Sequence, residues 1–150
     1  MRRLRRSGPG GQHRNKVETA VVLHHRPTGV KAEANERRSQ AENRAVALWR
    51  LRMNLATAVR LPRTLDDPPS SLWQSRCSGG RVHLSDTHDD FPAAMAEALD
   101  TVAAADADVK RAAASLGCST SQLVRLLKKA PQAFTLVNRW RRELQLPPLR

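Results

Sequence analysis

The sequence has no tyrosine, and its aromatic residues are three tryptophans and two phenylalanines among 150 residues. Trp49, Trp73, Trp140, Phe91 and Phe134 are scattered along the chain, which excludes the kind of platform on which successive single-stranded bases stack. Any contact with nucleic acid then runs mostly through phosphates. Cysteine is nearly lacking as well: Cys77 and Cys118 form no C-x-x-C pair and no disulfide framework, and are read as reduced thiols. Cys77, His83 and His88 have no compact ligand spacing, so neither a metal nor a cofactor is expected. No run of about 18 apolar residues occurs, so no membrane-spanning segment is expected. Four arginines among the first six residues are not followed by an apolar stretch of signal-peptide length, and the expected location is cytoplasmic.

Acidic residues are the scarcer charge, 14 against 26 lysines and arginines, for a net +12. The surplus is uneven. Residues 1–60 hold 14 basic and 4 acidic residues, residues 61–100 hold 3 and 7, and residues 101–150 hold 9 and 3. A basic head, an acidic middle and a basic tail point to a polyanionic partner, although a charge run is also what a solvated face looks like. The length suits one small domain or a domain with an appendage, not a multi-domain machine.

Periodicity divides the chain further. Residues 17–24 are rich in β-branched residues and residues 30–35 resume the pattern after Pro27-Thr28-Gly29, which predicts a β-hairpin. From Ser39, apolar residues at Ala41, Ala45, Leu48, Leu51, Leu55 and Val59 mark a helix, with Ser39 and Glu42 as a capping box and Pro62 as its limit. Residues 62–92 lose all periodicity and read as an acidic linker rich in proline, glycine and serine. Helical patterns return over 93–105, with Asp90 as cap, then over 108–116, 120–129 and 133–144. The pair 108–116 and 120–129, joined across Gly117, is helix-turn-helix-like, with Ala113, Leu116, Leu123, Leu126 and Leu127 as its apolar contacts. The expected fold class is α+β: residues 1–61 a small sheet packed by a long helix, and residues 93–150 a basic helical bundle.

Three glycines fall within four residues at Gly8, Gly10 and Gly11. Paired glycines permit positive φ and close backbone approach, and Pro9 restricts the chain just before them. A hairpin turn, a tether or a phosphate cradle are the ordinary readings. A P-loop needs G-x-x-x-x-G-K-[ST], which Asn15-Lys16-Val17 does not supply. On composition alone an ordinary glycine turn outranks an active site.

The flanking residues change that order. Ser7-Gly8-Pro9-Gly10-Gly11-Gln12-His13, Asn15-Lys16, Glu18, Ala20-Val21, His25, Pro27-Thr28-Gly29, Arg38-Ser39-Gln40 and Asn43-Arg44 follow one another in a pattern that resembles the peptidyl-tRNA hydrolysis domain of class-I peptide chain release factors and their ribosome-rescue relatives. The resemblance covers residues 6–54. It implies that Gly10, Gly11 and Gln12 form a catalytic loop that enters the peptidyl transferase centre of the large ribosomal subunit and promotes hydrolysis of the ester of peptidyl-tRNA. Gln12 would supply a main-chain N–H to the developing negative charge and a side chain that shapes the water pocket, with Gly10 and Gly11 setting the backbone. Arg5, Arg6, His13, Arg14, Lys16, Arg37, Arg38 and Arg44 are the candidate RNA-facing residues, and Ser7, Gly8, Pro9, Asn15, Glu18, His25 and Gln40 the candidate supports of the loop.

The same resemblance implies the ribosome and peptidyl-tRNA as partners, N5-methylation of Gln12 by a release-factor glutamine methyltransferase, and action as a monomer. It also marks departures. Arg14 stands where valine is common, the first strand of the domain is expected to be missing or shortened, and 150 residues leave no evident place for a codon reader. Codon-independent peptide release, as in ribosome rescue, is therefore the expected function. A non-catalytic ribosome- or RNA-binding protein, and a DNA-binding regulator using Ser121, Gln122 and Arg125 as base readers, are the alternatives.

Overall fold

In the computed structural model of the chain, the residues described are 2–4, as backbone alone, and 19–150. They fall into two compact units, Met1–Ala58 and Val59–Arg150. The mixed α+β class is as the sequence predicts.

The first unit is a three-stranded antiparallel sheet in the order β1 (Arg2–Leu4), β2 (Ala20–His24), β3 (Lys31–Ala34), with helix α1 (Gln40–Ala58) packed on it. The first strand is present and three residues long. Strands β2 and β3 form the expected hairpin. Its turn is closed by the His25 amide donating to the Val30 carbonyl at 2.9 Å and the Gly29 amide donating to the His25 carbonyl at 2.9 Å. Gly29 has φ +73°, a conformation only glycine adopts without strain. The register pairs Val21 with Ala34 and Leu23 with Ala32, so the two-residue alternation puts these four side chains on one face. That face meets Ala47, and Val21, Ala34 and Ala47 form a small fully buried core flanked by Leu23 and Val46. With alanines on both sides, helix and sheet backbones approach closely.

Helix α1 turns a different face inward from the one its apolar spacing suggests. Ala41, Ala45 and Leu48 are exposed, Leu48 at 47%, whereas Asn43, Ala47, Leu51, Met53 and Ala56 are buried. Hydrogen bonding explains the rotation. Asn54 Nδ2 donates to the Lys31 carbonyl at 2.9 Å, and Arg50 Nη1 donates to the Glu33 carbonyl at 2.8 Å. Polar side chains on this side satisfy backbone groups of β3, which a count of apolar residues misses.

The second unit holds α2 (Ser71–Arg76), a two-residue-strand hairpin β4 (Cys77–Ser78) and β5 (Arg81–Val82), then α3 (Phe91–Ala104), α4 (Val109–Ser115), α5 (Thr120–Lys128) and α6 (Pro131–Glu143). Gly79 and Gly80, at φ +54° and +74°, make the tight turn of the hairpin. Residues 62–92, expected as a linker, are thus built into this unit. Trp73 is 1% exposed and its indole N–H donates to the Leu116 carbonyl at 2.8 Å; Leu84 and Phe91 are buried beside the helical core. Each element here is too short to show a period, and Trp73, Leu84 and Phe91 are the buried anchors of this stretch.

Acids at the end of this stretch and in α3 also hold the unit together. Asp100 pairs with Arg60 at 2.8 Å and accepts from the Leu61 amide; Glu97 pairs with Arg63 at 3.0 Å and accepts from both the amide and the hydroxyl of Ser70. Burial raises the Asp100 carboxyl, with Arg60 opposing the shift. Asp90 holds the N-cap position of α3, but its side chain makes no capping bond. Its carboxylate instead takes two donors from Arg76, at 2.7 and 3.0 Å.

Helices α3 to α6 form the expected bundle. Asp108 caps α4 through the amides of Lys110 and Arg111, and Ser119 caps α5 through that of Gln122. Ala113, Leu116, Leu123, Leu126 and Leu127 are all buried, with Gly117 at φ +68° turning the chain between the two helices. The C-terminal segment folds back on α6: Asn138 Oδ1 accepts from the Leu149 amide at 2.7 Å, and Arg141 Nε donates to the Pro147 carbonyl at 2.7 Å.

Candidate functional site

Strands β1 and β2 are antiparallel neighbours in which Leu4 pairs with Ala20. The connection between them, residues 5–19, is much longer than the roughly two to five residues that close an ordinary hairpin. Gly10, Gly11 and Gln12 lie in it by sequence, and the register of the two strands brings its ends together. Those three residues, together with Arg5, Arg6, Ser7, Gly8, Pro9, His13, Arg14, Asn15, Lys16 and Glu18, lie outside the described residues.

What the structure describes is where the connection rejoins the sheet, at Thr19, and what holds it there. Asn43, in the first turn of α1, is fully buried. Its Nδ2 donates to the Thr19 carbonyl at 2.8 Å and to the Arg37 carbonyl at 2.9 Å, while its Oδ1 accepts from the Arg37 amide at 2.9 Å. One side chain thus fixes the end of the glycine-bearing connection to the segment between β3 and α1. Apolar periodicity gives no reason to bury an asparagine in a helix, so the periodic reading missed it. Its one signal was its place in the Asn43-Arg44 pair of the motif.

Arg37 and Arg38 are exposed on that β3–α1 segment and Arg44 is exposed on the first turn of α1. The three cations cluster within eight residues. Glu42, exposed in the first turn of α1, is the acid within these eight residues, and neighbouring Glu36 is bound to Arg50 at 2.6 Å. The Glu36 carboxyl is held below its ordinary value by the amides of Asn35 and Glu36 itself, with Arg50 contributing. Gln40 is the first residue of α1, half-buried. His25 stands at the far end of the hairpin, its Nδ1 2.8 Å from the Thr28 hydroxyl, so it braces the β2–β3 turn. The described candidates therefore divide: the Arg37 backbone is joined through Asn43 to Thr19, Arg38, Gln40 and Arg44 lie close to these residues in sequence, and His25 stands apart at the β2–β3 turn.

Among the described residues no group of acidic, histidine and cysteine side chains is arranged to hold a metal, and no helix is long and apolar enough to cross a membrane.

A three-stranded antiparallel sheet packed by one helix, with Asn43 joining Thr19 to the β3–α1 segment, defines a small α+β domain. The RF-1 domain family model matches residues 1–77, a span that includes Gly10-Gly11-Gln12. The chain belongs to this family, the hydrolytic domain of class-I release factors, whose members act on the ribosome and on peptidyl-tRNA. Its function is release-factor-like. No solved structure matches the chain.

Proposed function

We propose that this protein hydrolyses the ester of peptidyl-tRNA on the ribosome through Gly10, Gly11 and Gln12, and does so without reading a codon. The observation that carries the reading is the family match over a span that holds this tripeptide in its ordered motif. Water attacks the ester carbonyl, the bond to the tRNA 3′ oxygen breaks, and that oxygen leaves with a proton. Negative charge grows on both oxygens, and the Gln12 main-chain N–H is the group that meets it. The Gln12 side chain shapes the pocket for water and is the site of N5-methylation. Asn43 acts at one remove by pinning Thr19, while Arg37, Arg38 and Arg44 meet RNA phosphates. The protein works as a monomer in the cytoplasm.

Peptide release from ribosomes carrying peptidyl-tRNA tests the reading, with truncated, stop-containing and sense-containing mRNAs compared. Release on truncated mRNA at a rate equal to or above that on a stop codon is expected; release confined to the stop codon refutes codon independence. Loss of one such donor costs about 3 kcal/mol of transition-state stabilisation. Gln12→Ala keeps its main-chain amide and retains more activity than Gly10→Ala or Gly11→Ala, whereas Gln12→Pro, which lacks the N–H, is severely impaired. Unchanged rates in both glycine variants would remove the tripeptide from the mechanism.

A further inference from the structure

The helix-turn-helix-like segment has no part in ester hydrolysis, and its outward side is unusual in charge. Leu123, Leu126 and Leu127 turn α5 into the bundle. On the other side Ser121, Arg125 and Lys128 recur at spacings of four and three and are all exposed. Among the described residues no carboxylate lies within ion-pair distance of Arg125 or Lys128, and α5 contains no acidic residue. Several acids of the second unit are engaged elsewhere: Asp90 with Arg76, Glu97 with Arg63, Asp100 with Arg60, Asp106 with Arg111, Glu143 with Arg139, and Asp108 with the amides of α4. Three of the seven acids of residues 61–100 are thus held by arginines. The positive surplus of the tail is left facing outward.

We propose that the exposed strip of α5 carrying Ser121, Arg125 and Lys128 is a docking surface for the phosphates of duplex ribosomal RNA. The choice of RNA rests on the release-factor-like reading, which places this polyanion within reach. The chemistry of the strip suits backbone contact: two long cations and a hydroxyl position a protein on a duplex without specifying its sequence. Gln122 is not free to read bases, since its Oε1 accepts from the Val82 amide at 3.4 Å, and Lys129 Nζ is turned back to the Leu84 carbonyl. Lys128 Nζ lies 5.8 Å from the Phe134 ring centroid, a cation–π contact that leaves the side chain exposed.

The test uses the full chain and vacant large ribosomal subunits, with co-sedimentation followed as salt is raised. Arg125→Glu with Lys128→Glu is expected to lower affinity at least about tenfold and to reduce the slope of log affinity against log salt by about two. An equal charge change off the strip, Arg111→Glu with Arg139→Glu, is expected to cost less than about threefold. Both pairs alter exposed side chains, and an unchanged thermal melt confirms the fold. Equal losses in the two double variants, or none in the first, overturn the proposal. So does tighter retention on a 20-bp DNA duplex than on an RNA duplex of the same sequence, lost in the first variant, which would make α5 a DNA reader. Because vacant subunits hold no peptidyl-tRNA, a protein that binds through α5 but releases no peptide refutes the hydrolytic reading and leaves the docking surface standing.

Discussion

Asn43 is the residue whose replacement most directly tests how the hydrolytic unit is held together. Its side chain makes three hydrogen bonds of 2.8–2.9 Å in a site closed to water. At about 1 kcal/mol net for each, Asn43→Ala removes about 3 kcal/mol from the first unit, with no large cavity to refill. Asn43→Asp is the sharper variant. It keeps an acceptor for the Arg37 amide but sets a carboxylate oxygen against the carbonyls of Thr19 and Arg37. The folded state then favours the protonated acid, which donates to one of those carbonyls, so its folded carboxyl value is raised. A raised folded value means that stability is fullest below the unfolded carboxyl range and is lost as pH rises through the folded one. Asn43→Asp is therefore at least as damaging as Asn43→Ala at pH 7 and recovers towards pH 4. Hydrogen exchange read by peptide separates the units: protection falls over residues 19–58 and stays unchanged over residues 91–143. Peptide release should fall with it, since Thr19 is no longer pinned. An Asn43→Ala protein within about 0.5 kcal/mol of the parent in residues 19–58 would refute the clamp, because a loss that small is below the value of a single net hydrogen bond.

Two further predictions concern the second unit. Ala107 sits in the left-handed region at φ +58° at the α3–α4 corner while its carbonyl accepts from Arg141; Ala107→Gly relieves that strain and raises stability by about 0.5–1 kcal/mol in urea titration. A destabilised glycine variant would show that the buried methyl outweighs the backbone term. The Cys118 thiol is pushed up to about 11 by burial, with neighbouring Cys77 adding to the shift, and burial raises Cys77 too. Both stay protonated at pH 8, so a thiol-reactive chromophore labels the native protein slowly and the unfolded protein fast. Because these folded values are raised, the stability they confer is complete below the ordinary thiol value and declines as pH rises from it through the folded ones. Rapid native labelling at pH 8 would contradict the burial argument.

Elements whose information is local are legible in the residues alone. Alternation over Ala20–His24, the Pro27-Thr28-Gly29 turn, and the capped pair around Gly117 each state a backbone preference that neighbouring residues settle among themselves. The ordered motif around Gly10-Gly11-Gln12 assigned the family for a similar reason: a loop's chemistry lies in contiguous residues. Which side of α1 faces the sheet was settled by tertiary contacts: Asn43 is buried against the Thr19 carbonyl, while Asn54 and the exposed Arg50 reach back to carbonyls of β3, and polar side chains paired in this way leave no mark in a count of apolar residues. The tertiary structure also decided the fate of residues 62–92. Arg63 and Arg76 of this stretch find Glu97 and Asp90 only once the chain has folded, and Trp73 anchors it by reaching Leu116. Pairings between distant residues leave no periodic trace. Where the charge of this protein is spent and where it is left to face outward is therefore a property of the fold.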